Sequence, residues 1–319
     1  MNFRTEVALT KMANPIRLED KLLLIGSCFV ENIGKKFQEA GFQSTVNPFG
    51  TLYNPMSIYH GIRRLMDPQP FAAEQLFLHQ GLWHSFSHHS CFSRVSKAET
   101  LQAINDELDK GAERFNRAQW IIVTFGTTAA YLDKRSGEVV ANCHKMPDTH
   151  FVKHQLTQSE IVASFEALIS DLHQQNPTMN WIFTVSPIRH WKDGAHQNQL
   201  SKATLLLAID QLQQAFPFVH YFPAYELMMD ELRDYRFYGD DMLHPSQAAI
   251  EFIWEKVLHV AIDERAKPIL KEILSIRKAL AHRSFQPSSE IDVQFRQKTL
   301  ERMRQLQANY PFVHFEDEP

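Results

Sequence analysis

Short runs of apolar residues alternate along the chain with longer amphipathic segments. The apolar runs predict strands at 22–25, 43–46, 120–125, 181–185 and 219–222. Uninterrupted runs such as WIIVTF and WIFTV are typical of strands that are covered on both faces, as in parallel sheets. Segments with helical spacing lie between or beside them at 29–40, 161–174 and 201–216. This alternation predicts a three-layer α/β fold with a mainly parallel five-stranded sheet.

Two regions depart from the simple alternation. Residues 58–117 contain a helical stretch and the histidine-rich string HQGLWHSFSHH, and we expect them to form an insertion at the edge of the sheet or over the site. After a closing helix at 251–263, the segments 267–283 and 293–307 have strong helix formers with apolar residues at three- and four-residue spacing. A linker at 284–290 joins these two segments.

We therefore predict two units, an α/β domain at 1–264 and a helical C-terminal extension at 265–319. The extension is expected to pack back on the core or to mediate formation of a homo-oligomer.

Charge and composition exclude several classes of partner. The chain of 319 residues has 33 Lys and Arg against 37 Asp and Glu, a net charge of −4, so we expect it to bind neither nucleic acid nor an anionic membrane. No apolar run approaches the roughly 20 residues that cross a bilayer, and the N-terminal residues do not resemble a signal peptide. Three cysteines are too few for a disulfide framework. A cytoplasmic protein is the expectation.

The turn after the first strand contains two candidate nucleophiles, Ser27 and Cys28, in the string LLLIGSCF. Ligands of parallel α/β sheets bind beyond the carboxyl ends of the strands, where helix N-termini also point. A thiol at that position meets backbone N–H groups and the positive end of the helix, which can lower its pKa. The alternative is a tight turn with a buried, inert cysteine.

A second candidate motif lies near residue 240, in the string YGDDMLHPS. Asp241 and His244 are three residues apart, a spacing at which the carboxylate can fix the tautomer of the imidazole and stabilise its charged form. Pro245 and Ser246 indicate a helix start, which leaves His244 on the preceding loop. The alternative is a helix cap with a surface histidine.

Together these motifs resemble the GSCFA domain family, within the superfamily of SGNH or GDSL-like hydrolases. The naming motif is GSCF at 26–29, with Val30 in place of alanine. Further similar strings are NPFGTLYNP at 47–55, FGTTAAY at 125–131, NCHK at 142–145, TVSPIRH at 184–190 and ELRDYRFYGDDMLHPS at 231–246. The resemblance covers about residues 3 to 255.

The resemblance implies a flavodoxin-like sheet, a nucleophilic serine after the first strand, a glycine and an asparagine in the oxyanion hole, and a final Asp-x-x-His pair. Gly50 matches the glycine block and Gly126 begins the Gly-x-Asn-Asp block, in which Thr128 replaces asparagine. The hydrogen-bond donor that takes the place of the asparagine in the oxyanion hole is then the Thr128 hydroxyl or another group such as Asn54 or Asn142. Loss of one oxyanion donor costs about 10²–10³ in rate, so this departure weakens the expectation of efficient esterase activity.

The register of the first motif leaves the nucleophile open. A gapless comparison with Gly-Asp-Ser-Leu aligns Cys28 with the serine, whereas a shift of one residue in the turn restores Ser27. In either case the hypothesis is that His244 acts as the base and that Asp241 orients it. Thiolates are strong nucleophiles that form acyl-thioester intermediates.

Other polar residues are predicted to line the pocket because they follow predicted strands. They are Asn142, His144, Lys145, Arg189 and His190. For the first three, a solvated loop is an equal alternative. The patch of His79, His84, His88 and His89 has neither the His-Glu-x-x-His nor the zinc-finger spacing. We interpret it as part of an aromatic-rich insertion, and we expect no metal and no organic cofactor.

The function that these features favour is hydrolysis of an ester or acyl bond through a covalent acyl-enzyme. The substrate is expected to be a small acylated molecule, such as an acylated carbohydrate, by superfamily analogy alone. Three alternatives stay open: an acyltransferase with the same nucleophile, a non-catalytic binding protein on the same scaffold, and a metal-dependent hydrolase that uses the histidine patch.

Overall fold

The computed structural model describes residues 5–282 and 289–315, which form alternating strands and helices. The strands are β1 Lys21–Gly26, β2 Gln43–Val46, β3 Leu76–His79, β4 Leu82–Ser85, β5 Trp120–Phe125, β6 Ala129–Asp133, β7 Val139–Val140, β8 Phe151–Gln155, β9 Asn180–Val185 and β10 Val219–Tyr221. The helices are α1 Cys28–Glu39, α2 Pro55–Met66, α3 Lys97–Phe115, α4 Gln158–Gln175, α5 Ala195–Ala215, α6 Ala224–Glu226, α7 Gln247–Ala261, α8 Ala266–Leu280 and α9 Glu290–Asn309.

Five of the strands form a parallel sheet in the order β2-β1-β5-β9-β10. They are the five strands that the apolar runs predict, and the predicted parallel sheet is confirmed. The second strand along the chain lies at the edge beside the first, and the later strands extend on the opposite side. This is the flavodoxin-like order, in which a crevice opens at the carboxyl ends of the strands where the direction of winding reverses. In this protein that point lies between β1 and β5.

Alternate residues of the central strands β1, β5 and β9 enter two separate cores. In β1, Leu22 and Leu24 face the core under α1 and α7, whereas Leu23 and Ile25 face the core under α2, α3, α4 and α5. Burial on both faces explains why the strands are continuously apolar. The predicted three layers, helices on both faces of one sheet, are confirmed.

The region expected to be an insertion, 58–117, is in large part core. Ile58 and Ile62 of α2 and Ile104 and Leu108 of α3 are fully buried against the sheet. A parallel crossover from β2 to β5 needs helices to cover the face that it crosses. The additional structure is the β3–β4 hairpin between the two helices.

A small antiparallel sheet follows β5 and was not expected from the sequence. Its strands are arranged in the order β7-β6-β8. β6 is a five-residue strand and β7 has two residues, so neither presents a long apolar run. This sheet stands beside the carboxyl edge of the main sheet, since its residues line the cleft described below.

The C-terminal region is helical, as predicted. Ile273 and Ile276 of α8 and Met303 and Leu306 of α9 are buried in the same core as α1 and α7. Of the predicted linker at 284–290, residues 283–288 lie outside the described residues. The unit boundary at 264 falls between α7 and α8, and both the two-unit division and the homo-oligomer stay predictions. Within residues 5–282 and 289–315, no helix has the length and apolar character to cross a membrane.

The aromatic core of the sheet provides a test of the fold. Phe183 is completely buried and its ring contacts those of Phe125, Phe165 and Trp181. We expect Phe183→Ala to lower the free energy of unfolding by about 3–5 kcal/mol through the cavity that it leaves, measured by urea denaturation. Leu207→Ala on the exposed face of α5 is the control, with an expected change within about 0.5 kcal/mol. Equal effects would contradict the assigned core.

Candidate active site

The turn after β1 brings the start of α1 to the carboxyl edge of the sheet. Gly26 has φ of 143°, and a Cβ at this position would lie 2.3 Å from the carbonyl oxygen of Thr124 on β5. The amide of Ser27 donates to the same carbonyl at 3.2 Å. Only glycine fits this close approach. Ser27 is therefore the residue before the helix and Cys28 is its first residue.

Cys28, His244 and Asp241 form a continuous chain of polar contacts. The Sγ atom of Cys28 lies 3.7 Å from Nε2 of His244, and Nδ1 of His244 lies 2.5 Å from Oδ2 of Asp241. The Ser27 hydroxyl is buried and has no hydrogen-bond partner within the described residues. Of the two side chains, the Cys28 thiol is therefore the one that contacts the imidazole, as the gapless register requires.

The loop that carries Asp241 and His244 is held by its own backbone. The amides of Leu243 and His244 both donate to Oδ1 of Asp241 at 2.9 Å, and the amide of Gly239 donates to the carbonyl of His244 at 2.7 Å. The amides of His244 and Leu243, followed by the imidazole, lower the pKa of Asp241 to about 2. Asp241 is therefore an anion at neutral pH and holds the proton of the imidazole on Nδ1.

The thiol of Cys28 is less acidic than the sequence led us to expect. Burial raises its pKa, and the charge of Glu31 acts in the same direction. The amides of Cys28 and Phe29 at the helix start and the charge of Lys202 oppose these effects, but they do not outweigh them. Most of the Cys28 population is thus protonated at neutral pH, so attack on a substrate requires a base to remove the proton.

Lys202 of α5, which sequence reasoning missed, lies fully buried beneath the site. Its Nζ donates to the carbonyls of Gly126 and Ser186, both at 2.8 Å, and lies 5.5 Å from the centre of the Tyr225 ring. These carbonyls directly follow β5 and β9, so the lysine joins the carboxyl ends of two neighbouring strands. Burial lowers the pKa of Lys202 to about 7, and attraction to the Cys28 thiolate raises it.

The three groups expected to donate to an oxyanion are engaged elsewhere. The amide of Gly50 donates to the carbonyl of Asn47 at 2.7 Å, and that of Gly126 donates to the carbonyl of Tyr53 at 2.8 Å. The hydroxyl of Thr128 donates to the Gln155 side chain at 2.9 Å. The expectation for Gly50, Gly126 and Thr128 is therefore corrected, because backbone pairing and the small antiparallel sheet already use these donors.

Other donors line the cleft that contains Cys28. The Asn54 amide caps α2 and donates to the Ser57 hydroxyl at 2.9 Å, which leaves one of its N–H groups free. Asn142 accepts from the amide of His144 at 2.8 Å through its oxygen, so its NH₂ group stays available. Tyr53 was not singled out from the sequence. Burial raises the pKa of its phenol to about 12, so that it is a neutral donor.

These groups belong to one cleft, which we call the nucleophile cleft, with a volume of about 420 Å³. Its principal lining residues are Ser27, Cys28, Tyr53, Asn54, Thr127, Asn142, Ser186, Arg189, His190, Trp191, Lys192 and His244. The side chain of Asn198 accepts from the amide of His190 at 2.9 Å and fixes the loop after β9. Burial, followed by the charge of Lys202, lowers the pKa of His190 to about 4. His190 is therefore neutral.

His144 and Lys145, which we expected in the cleft, do not line it. Both residues have positive φ angles and form a turn. His144 is buried beside the β3–β4 hairpin, where its Nε2 lies 2.8 Å from the carbonyl of Ser85. Lys145 is exposed.

The histidine patch lies on the same hairpin. The Nδ1 atom of His84 lies 2.6 Å from the Ser93 hydroxyl, and that of His88 lies 2.9 Å from the Ser85 hydroxyl. Among residues 5–282 and 289–315, no three His, Cys, Asp or Glu side chains are grouped as metal ligands. These contacts match the interpretation of the patch as part of a packed aromatic segment.

Comparison with known families identifies the chain. Residues 21–257 match the GSCFA family, and residues 273–319 match the GSCFA domain protein, C-terminal domain. The chain belongs to the GSCFA family. Cys28, the cysteine of the GSCF string, is the residue of this GSCFA protein whose thiol contacts His244. None of the curated proteins is significantly similar to it in sequence.

Solved structures similar to the GSCFA protein include two esterases. One is a family two carbohydrate esterase from Clostridium thermocellum in complex with cellohexaose, with 13% identity and a TM-score of 0.36, where the match covers 78% of this chain and 66% of that chain. The other is an acetyl xylan esterase from the rumen bacterium Butyrivibrio proteoclasticus, with 14% identity and a TM-score of 0.34. This match covers 77% of this chain and 64% of the esterase chain. Similarity this low carries no activity over to this chain.

The buried lysine can be tested through the acidity of the thiol. Because the positive charge of Lys202 favours the thiolate, we expect Lys202→Met to move the pH profile of Cys28 alkylation to higher pH. At fixed pH, alkylation should slow by up to about tenfold, the factor for one pKa unit. The measurement is the rate of iodoacetamide labelling, followed by mass spectrometry of the Cys28 peptide. Lys298→Met on the exposed face of α9 is the control, and an unchanged profile in Lys202→Met would refute the coupling.

Proposed function

We propose that the protein is a hydrolase that cleaves a small acyl ester through a thioester on Cys28. The observation that carries the proposal is the contact chain of Cys28, His244 and Asp241, with 3.7 Å from Sγ to Nε2 and 2.5 Å from Nδ1 to Oδ2. A nucleophile, a base and a group that orients the base are the elements of acyl transfer on unrelated folds.

In the acylation step, Sγ of Cys28 attacks the ester carbonyl while Nε2 of His244 takes the thiol proton. The S–C bond forms and the carbonyl oxygen becomes an oxyanion. The backbone amides of Cys28 and Phe29 at the start of α1, which face the thiol, and the side chains of Tyr53, Asn54 and Asn142 are the candidate donors toward it. When the C–O bond breaks, His244 returns the proton to the leaving oxygen, and the alcohol departs.

In the deacylation step, His244 removes a proton from a water molecule that attacks the thioester. The S–C bond breaks, the carboxylic acid leaves, and the proton on Nε2 returns to Sγ. Asp241 keeps the imidazole in the tautomer that accepts at Nε2 in both steps. The two steps together consume one ester and one water and need no redox partner.

We further propose that the chain is a member of the SGNH-like superfamily that has cysteine in place of serine. Support comes from the flavodoxin-like strand order, from the position of Cys28 directly after β1 and from the Asp-x-x-His pair before α7. An acylated carbohydrate is one substrate that this placement suggests, by analogy of fold alone.

The test uses 4-nitrophenyl acetate as the ester. We expect Cys28→Ala to abolish turnover, and His244→Ala to lower kcat by about 10²- to 10⁴-fold, the range for loss of a general base. Intact mass spectrometry of the quenched reaction should show one added acetyl group. Peptide mapping should place that group on the peptide that contains Cys28. His259→Ala, an exposed histidine on α7, is the matched control and should keep full activity.

Three other outcomes would overturn the assignment. Acetyl on Ser27, with activity retained in Cys28→Ala, would make the serine the nucleophile. A folded protein with neither acetylation nor turnover of this ester would favour a binding protein on the same scaffold. Transfer of the acetyl group to an added alcohol in preference to water would indicate an acyltransferase.

A further inference from the structure

A second cleft adjoins the nucleophile cleft, and Arg189 lies in the wall that they share. We call it the arginine cleft; it has a volume of about 460 Å³, in the range of small-molecule sites. Asp241 and Leu243 also line it, so the two clefts meet at the loop that carries His244. A ligand that fills both would pass directly beside the imidazole.

Arg189 has no acidic partner within residues 5–282 and 289–315. Its Nε and Nη2 donate to the thioether sulfur of Met229 at 3.2 and 3.1 Å, and its guanidinium also donates to the phenol oxygen of Tyr225. A thioether is a weak acceptor, whereas a guanidinium is matched to the two oxygens of a carboxylate or phosphate. Among the described residues, the half-buried guanidinium is thus held by neutral acceptors, a thioether and a phenol, whose place an anion can take.

The acidic residues nearby are already engaged. Asp241 binds His244 and the amide of Leu243, and Asp193 forms an ion pair with Lys153. Asp230 forms an ion pair with Arg233 at 3.3 Å. The charge of Arg189 is therefore left uncompensated at the junction of the clefts.

We propose that Arg189 binds an anionic group, a carboxylate or a phosphate, on the leaving-group side of the substrate. This inference rests on the proposed ester hydrolysis, in which Nε2 of His244 donates a proton to the leaving oxygen. The leaving group then lies on the His244 side of Cys28, toward the arginine cleft. The substrate class is accordingly an acyl ester of a negatively charged alcohol, and the exposed rings of Trp191 and Tyr235 flank the space for its body.

The experiment compares three acetyl esters of similar size: phenyl acetate, 4-acetoxybenzoate and 4-acetoxyphenyl phosphate. We expect at least one anionic ester to have a higher kcat/KM than phenyl acetate. Arg189→Gln should lower the ratio of anionic to neutral kcat/KM by about 10- to 100-fold, the range for a hydrogen bond to a charged group, and Arg189→Lys should restore part of it. The two anionic esters distinguish a carboxylate from a phosphate. Arg117→Gln removes an exposed charge that pairs with Glu113 just beyond the end of α3 and is expected to leave the ratio unchanged.

A binding measurement separates failure of this inference from failure of the proposed function. Calorimetric titration of 4-acetoxybenzoate and 4-acetoxyphenyl phosphate into Cys28→Ala, with and without Arg189→Gln, requires no turnover. Binding that depends on Arg189 in a protein that hydrolyses none of the esters would keep the anion site and refute the hydrolase. Equal kcat/KM for neutral and anionic esters, or binding that is insensitive to Arg189→Gln, would overturn the anion site and leave the hydrolase standing.

Discussion

The pairing of β1 with β5 is the contact on which the geometry of the candidate site depends. The strands approach so closely at Gly26 that a side chain there would overlap the carbonyl of Thr124. Because the chain must turn at this point, α1 begins at the carboxyl edge of the sheet and its first residue, Cys28, opens into the crevice. The crevice exists because β2 lies on one side of β1 and the later strands lie on the other.

Burial shifts the pKa values of the groups packed around Cys28 toward their neutral forms. Burial raises the pKa of Cys28 and lowers those of His190 and Lys202 to about 4 and about 7. A buried ion is costly unless it is paired, so these groups favour their neutral forms. When Cys28 loses its proton, the new thiolate stabilises the charged form of Lys202, and Asp241 stabilises the imidazolium of His244. The negative charge on Cys28 and the positive charge on His244 are thus each stabilised by a neighbouring opposite charge.

The sequence predicts those features that depend on residues close together along the chain. It does not predict those that depend on contacts between distant segments. The central strands β1, β5 and β9 are largely apolar runs, and the Asp241–His244 pair lies within a single loop, so both could be predicted. The register of the nucleophile depends on the backbone of Gly26 against β5, which no local pattern encodes. Lys202 was missed because lysine on a helix is ordinarily exposed. A signal was present in the helical phase, since Asn198, Ser201 and Lys202 share the buried stripe of α5 with Leu205.

In the proposed mechanism, the access of water to the acyl-enzyme decides whether the site hydrolyses its substrate or transfers the acyl group. The side chains of His244 and Asp241 are 52% and 49% exposed, so solvent reaches the imidazole. A transferase has to keep water away from its thioester until the acceptor binds, which requires a closed site. Because the base itself is open to solvent, a water molecule can occupy the position beside Nε2 that the leaving alcohol vacates. This exposure favours hydrolysis, and it makes an anchored leaving group useful, since an open cleft orients its substrate only through specific contacts.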